Sequence, residues 1–442
     1  MKQKNHLWGK YWRYGAIILT IMAVMGILIS MPRVMERVEE GWQYAVTRLM
    51  GNGTNPHYIR QLITSDMTTS RVIMWETKEQ ANNAVVMYKL KDAPDSTIVT
   101  VDAISEVFSD DRVQRYLYRG DINGLEPQKE YVYRVGTEGH MSEWLPMKTG
   151  SKEPFSALIF PDSRSTNYLG FQAVVTGAFN KFPDAQFFAV LGNLVDNGEA
   201  APQWNSWLNS IGPVIDSIPF APVTGTQEYM DLHWTARPPQ AYAHLFAWPC
   251  SENHIMRNPY YSFDYGDIHF VVLDTQFKEL PEQVQAVAKQ NELNWLKADL
   301  AATDKKWKVV LMHRDVLTYT SEPMGQLSDR FSDTGKLFMP AFDEGKVDLV
   351  LTGQLNTYRR RGHISDFKRS DSGPYYIVSG MSGDIQAKGK WNGHVLDEYV
   401  TPYEGIPNYL RIHETSSSLV VEAYLSDGTM FDSVAIFKEE QK

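Results

Sequence analysis

Ala185-Gln-Phe-Phe-Ala-Val-Leu-Gly-Asn-Leu-Val-Asp-Asn-Gly198 is the stretch that decides how this chain folds. Its first seven residues are an almost unbroken apolar run. Such a run suits a strand covered on both faces, because a half-exposed strand would alternate. Gly192-Asn193 then opens a loop. The same form recurs at Ser156-Ala-Leu-Ile-Phe160, His269-Phe-Val-Val-Leu273, Trp307-Lys-Val-Val-Leu-Met312 and Val347-Asp-Leu-Val-Leu351, with helical stretches such as Gln290 to Ala302 between some of them. An α/β domain over residues 152–440 follows, with its site residues expected on the loops after the strands, where open α/β sheets place ligands.

Upstream the pattern changes. Arg71-Val-Ile-Met-Trp-Glu-Thr77, Ala84-Val-Val-Met-Tyr-Lys-Leu90 and Tyr131-Val-Tyr-Arg-Val135 cluster β-branched and aromatic residues between turn-rich stretches. Leu125-Glu-Pro-Gln-Lys-Glu-Tyr131 has the spacing of a tyrosine corner, and Trp75 is a natural buried strand residue. Residues 55–149 therefore read as an all-β, fibronectin III-like domain. Gly51-Asn-Gly-Thr-Asn-Pro56 breaks the chain before it, and Val34, Val38, Trp42, Ala45 and Leu49 recur at helical spacing, so 32–54 is a helical spacer and linker.

Gly15 to Met31 is apolar and uncharged, and Lys2, Lys4, Lys10 and Arg13 precede it in a basic segment, 1–14. Basic flanks stay on the cytoplasmic side, and Trp8, Tyr11, Trp12 and Tyr14 suit the interface, so 15–31 is expected to be a transmembrane anchor with its amino end inside. The alternative is a cleaved signal peptide, for which Ile29-Ser-Met-Pro32 is a poor cleavage site. Everything after Pro32 would lie outside the cytoplasm, on a bacterial cell surface or in a periplasm. The 442 residues carry a formal net charge of −10, which argues against a nucleic-acid partner. The single cysteine, Cys250, excludes an internal disulfide and a cysteine-based zinc site.

The strand-end loops are Pro161-Asp-Ser-Arg-Ser165, Gly192-Asn193 through Gly198, Gly225-Thr-Gln-Glu228, Met312-His-Arg314 and Gly353-Gln-Leu-Asn-Thr-Tyr-Arg-Arg360. In order, spacing and flanks they resemble the five blocks of calcineurin-like metallophosphoesterases of the purple acid phosphatase type. Tyr260 to Gly266, Asn291 to Leu296 and Gly373 to Gly380 extend the resemblance, as does the β domain in front. It implies a β-sandwich flanked by helices and two metal ions that activate a hydroxide against a phosphate ester. Asp162 and His313 match two metal ligands. Asn193 stands where the family has its bridging Asp, Thr226 where it has Asn, and Gln354 and Asn356 where it has two His. Gln227 replaces the His that assists the leaving group.

Amides are neutral, weak ligands, so the charge that holds two divalent cations close together is gone. The replacements keep polar atoms for the hydrogen bonds of a buried loop while abolishing metal affinity. Asp162 and His313 read either as a residual site for one divalent ion or as leftover polar residues satisfied by neighbours; the dinuclear centre is not expected. Asp264, Asp267, His269 or His363 would have to supply a third ligand. Arg164, Arg314, Tyr358 and Arg360 are the candidates to bind a phosphate-bearing or other anionic ligand, with Arg359 to Arg361 expected as a solvated loop edge. Asp196 suits a turn role and Glu228 an orienting one. The expected protein is a membrane-anchored pseudophosphatase that binds an anionic ligand or a partner. The alternative is a working phosphoesterase with an altered, mononuclear site.

Overall fold

The apolar runs do form fully buried strands. In the computed structural model Ser156–Phe160, Phe187–Leu191 and Phe220–Val223 lie parallel at the centre of one sheet. Ile268–Val272, Trp307–Met312, Leu349–Thr352 and Tyr375–Val378 lie parallel at the centre of a second. The sheets face each other across an apolar core that draws Ile159, Phe187 and Ala189 from the first and Phe263, Phe270, Val309 and Leu311 from the second. Phe187 meets Phe270 edge-on, with ring centroids 5.1 Å apart. On its other face the first sheet packs Leu158, Phe188 and Val190 with Phe171, Val174, Trp207 and Ile211 of helices Leu169–Lys181 and Ala201–Ile215. Glu282–Ala302 and Asp333–Glu344 bury Leu296, Leu300, Phe338 and Phe342 in a second cluster with Val310 and Val350. Successive strand residues point to opposite faces, so one doubly covered strand supplies both clusters.

The structure describes residues 53–150, 155–249, 259–319, 327–385, 393–403 and 405–438. The expected basic segment 1–14, anchor 15–31 and most of the spacer 32–54 lie outside them, and so does Cys250. Among the described residues no helix is long and apolar enough to cross a membrane.

The β region in front forms two sheets: Val85–Leu90, Val99–Asp102, Glu130–Thr137, His140–Met141 and Leu145–Lys148 make a sheet of their own, and the other continues the first sheet of the α/β region. His57–Leu62 pairs in parallel with Phe220–Val223, Leu62 opposite Phe220, so that Arg71–Thr77, Val113–Ile122 and Ile104–Asp110 continue the first sheet to ten strands. One sheet thus continues from the β region into the α/β region, and the described residues from Gly53 to Lys438 belong to one compact unit. Buried charge ties the seam. Glu76 accepts from Arg115 at 2.7 Å and lies 3.4 Å from Arg60, while Arg115 also donates to the Asn205 side chain at 2.7 Å. As expected, Trp75 is buried, and the Tyr131 hydroxyl accepts from the Glu126 N–H at 2.9 Å.

Candidate functional site

The five loops meet at the carboxyl ends of the parallel strands, and two glycines let them meet. A Cβ on Gly353 would stand 2.3 Å from the Leu191 carbonyl oxygen, and one on Gly225 would stand 2.2 Å from the Asn193 nitrogen. His313 bridges the two sheets by bonding Nδ1 to that same Leu191 carbonyl at 2.8 Å. Glu228 closes the floor of the loops. Its carboxylate accepts main-chain N–H groups from Asn193, Leu194 and Gly225 at 2.9, 2.8 and 2.6 Å, which is the orienting role expected of it. Burial pushes its carboxyl up to about 7, against the pull of these donors.

Asp162 is fully buried, and its carboxylate is completely engaged. The Arg164 guanidinium lays its fork along it, with Nε 2.9 Å from both oxygens and Nη2 2.7 Å from Oδ2. The Arg164 N–H adds a bond of 3.1 Å to Oδ1, and the Asn193 amide donates to Oδ2 at 3.0 Å. Arg164 also reaches Asp196 at 3.4 Å with Nη1. Burial opposes its charge, but Asp162 first, then Asp196 and Glu228, hold the guanidinium above its ordinary value. Asn193 adopts a left-handed φ of 55°, which Asn tolerates better than most residues. From there it donates to Asp162 and accepts the Gln227 N–H at 3.0 Å. A carboxylate in its place would set like charge against Asp162 and could give it no hydrogen.

His313 differs from Asp162. Its Nδ1 is satisfied, but Nε2 is buried with no hydrogen-bond partner. Burial, against the Leu191 bond and helped by Arg314 and Arg164, pushes its pKa down to about 3, so the ring is neutral. Thr226 donates to Gln276 at 2.9 Å, and Gln354 accepts the Asp315 N–H at 3.1 Å. Gln227 has a buried Oε1 with no hydrogen-bond partner, and Asn356 is half-buried in its loop.

The side chains expected to receive an anion turn instead to internal acids. Arg164 is held by Asp162. Arg314 closes on Glu279 and donates to Gln276 at 3.0 Å. Tyr358 and Arg360 both reach Asp432, at 2.8 and 2.9 Å, and Arg360 also pairs with Glu398. Nor are Arg359 to Arg361 a solvated edge: they begin the strand Arg359–Ser365. Residues two apart share a face, so Arg359 and Arg361 are both buried, Arg359 on Asp397 at 2.7 Å and Arg361 forked on Asp315 with a Tyr319 contact. Sequence reasoning passed over Asp315 and Asp397; three consecutive arginines in a possible strand were the signal for buried acids opposite them.

No third ligand arrives either. His363 Nδ1 is bonded to the Gly373 carbonyl at 2.6 Å, and Asp267 is exposed. His269 is clamped 2.8 Å from Asp264 on one nitrogen and 2.8 Å from Asp299 on the other. Among the described residues no group of three or more His, Cys, Asp or Glu side chains could hold a metal ion. The residues present do not fit a dinuclear centre, because the one acid left at a ligand-equivalent position, Asp162, has both oxygens bonded to cationic and amide donors. Next to the loops is a cavity of about 200 Å³, lined by Arg314, Lys278, Lys289, Thr275, Ser332 and Gln354 among others.

Residues 56–149 match the family described as Purple acid Phosphatase, N-terminal domain. The chain is 24% identical over 353 residues to purple acid phosphatase 23 of Arabidopsis thaliana, covering 71% of each. With purple acid phosphatase 21 of the same plant it shares 27% over 267 residues, 60% of this chain and 57% of that one. In fold it is similar to a purple acid phosphatase isolated from yellow lupin (Lupinus luteus) seeds, with a TM-score of 0.71 at 18% identity over 88% of this chain and 75% of that one. It is also similar to PhoD, with a TM-score of 0.59 at 13% identity over 88% and 94%.

Proposed function

We propose that this chain, a purple acid phosphatase-type calcineurin-like protein, is a binding protein built on the phosphoesterase fold and not a two-metal hydrolase. The observation that carries this reading is that Asp162 is neutralised by Arg164 and that, among the described residues, no third acid or imidazole joins it and His313. Two-metal displacement needs carboxylate charge to hold both ions, and here one carboxylate is already neutralised by Arg164. The bound species is an anionic ligand; the cavity of about 200 Å³ offers it Lys289 beside Lys278 and Arg314, which are paired with Asp333 and Glu279, so the ligand has to compete with those acids. The apolar segment from Gly15 to Met31 with its basic flank supports a membrane anchor with the folded part outside the cytoplasm.

The test is metal analysis of the purified protein together with a phosphomonoesterase assay after chelation and reloading with manganese, zinc or iron. The expected result is less than two equivalents of bound metal and no turnover. Two equivalents with turnover in the ordinary enzymatic range, roughly 1 s⁻¹ or more, would sink the reading. A second reading, an altered site with one ion, draws on the bare Nε2 of His313, which is the posture of an imidazole ligand whose other nitrogen is fixed by a carbonyl. In that case substitution of His313 abolishes both metal uptake and turnover.

A further inference from the structure

We infer that the Arg164 guanidinium does the structural work of the missing metal: it is a covalently attached counter-cation for Asp162 and the clasp between the first two loops of the pocket. This deepens the reading above and rests on it, since it presupposes a pocket without a dinuclear centre.

Four observations converge on it. Asp162 is the one carboxylate left among the ligand-equivalent positions, and it is fully buried. A buried carboxylate without a positive partner is costly enough that the loop would not keep its place. Arg164 supplies that partner with the bidentate geometry a carboxylate favours, from only two residues along the chain. The same guanidinium reaches on to Asp196 in the second loop, so it joins two loops as a shared ion would. Finally, Asn193 turns a hydrogen toward Asp162 Oδ2, an arrangement that suits an Arg-neutralised acid and not a second cation between the two side chains. The side chain of Arg164 is only 10% exposed, so its charge serves the interior before any ligand. Arg164 is accordingly a positioning residue.

Lysine in its place would keep the charge and lose the fork. A neutral residue of similar length would take the shared guanidinium from both Asp162 and Asp196, leaving two acids in reach of one cation, with the bare Nε2 of His313 in the same set of loops.

The experiment compares the full chain in detergent as wild type, Arg164→Met, Arg164→Lys and Arg164→Met/Asp162→Asn. Each is stripped with chelator and melted with and without manganese or zinc. Arg164→Met is expected to melt several degrees below wild type and Arg164→Lys between the two. In the Asp162→Asn background the same change is expected to cost less than about half as much, because the partner charge is gone. Added divalent ion should raise the melting temperature of Arg164→Met and leave wild type and the double variant unmoved. The inference is overturned if Arg164→Met melts like wild type, if the two substitutions are additive, or if Arg164→Lys is no better than Arg164→Met. It is also overturned if divalent ion stabilises wild type through Asp162. Should Arg164→Met not fold, the Arg164→Lys and wild-type arms still decide. Metal-dependent turnover by wild type defeats the binding-protein reading. Additive melting shifts in a protein without turnover defeat only this inference.

Discussion

Two buried histidines in the same α/β region differ in charge, and the contrast shows what decides it. His269 has a carboxylate 2.8 Å from each ring nitrogen, Asp264 on one side and Asp299 on the other. Both nitrogens must donate, so the ring is an imidazolium. Burial works against that charge, but the two hydrogen bonds and charges outweigh it and lift the pKa to about 9. His313 has one carbonyl on Nδ1 and no hydrogen-bond partner on Nε2, and burial leaves it neutral with a pKa of about 3. Both were candidate metal ligands by residue type. The neighbouring acceptors, and not the residue type, set the proton count. One ring is locked into an ion-paired cluster, while the other keeps a buried lone pair with no hydrogen-bond partner.

The largest expected effect lies on the acid side, at His313. A group whose folded pKa is depressed contributes stability that is complete above its unfolded value, here 6.5, and is lost as pH falls toward about 3. In chelator-treated protein, His313 therefore removes on the order of 5 kcal/mol of stability across that window. Denaturant titrations over pH should show His313→Leu losing much less than wild type between pH 6 and 4; equal slopes would mean that the His313 ring is not buried as a neutral group.

The alkaline side sharpens the other half. The folded pKa of His269 is raised, so its contribution is complete below 6.5 and is lost as pH rises through about 9. That loss is on the order of 3 kcal/mol. His269→Gln should flatten stability between pH 7 and 9.5, and Asp299→Asn should move the limb to lower pH. An unchanged limb in both would show that the clamp carries no charge.

The smallest effect is expected at neutral pH. His313→Leu gives up one bond to Leu191 and an unsatisfied nitrogen, so its unfolding free energy should lie within about 1 kcal/mol of wild type. A loss of several kcal/mol at pH 7 would mean that Nε2 has a partner, an ion or an ordered water, in the native protein.

Much of the scaffold was legible in one dimension. Strands covered on both faces need unbroken apolar runs, and Phe187–Leu191 or Trp307–Met312 could hardly be anything else. The tyrosine corner was readable because Glu126 and Tyr131 are neighbours in sequence as in space. The seam between the β region and the α/β sheet was not, because a single parallel pairing, Leu62 with Phe220, joins segments far apart in the chain. Arg359 to Arg361 were misread for a related cause. Hydropathy calls three arginines solvated, but a strand sends the first and third to the same buried face, and their partners Asp315 and Asp397 sit 46 and 38 residues away.

At the pocket the division is equally physical. The sequence by itself determined which donors and acceptors remain: one acid at Asp162, one imidazole at His313, and amides or a hydroxyl at Asn193, Thr226, Gln227, Gln354 and Asn356. It thereby bounded the charge the pocket can offer a metal. Only the tertiary structure decided that Arg164 turns inward onto Asp162, that Asn193 turns its hydrogen to the same carboxylate, and that one histidine is charged and the other is not. Ion pairing and protonation depend on burial and on separations of a few Å, and only the folded chain sets those.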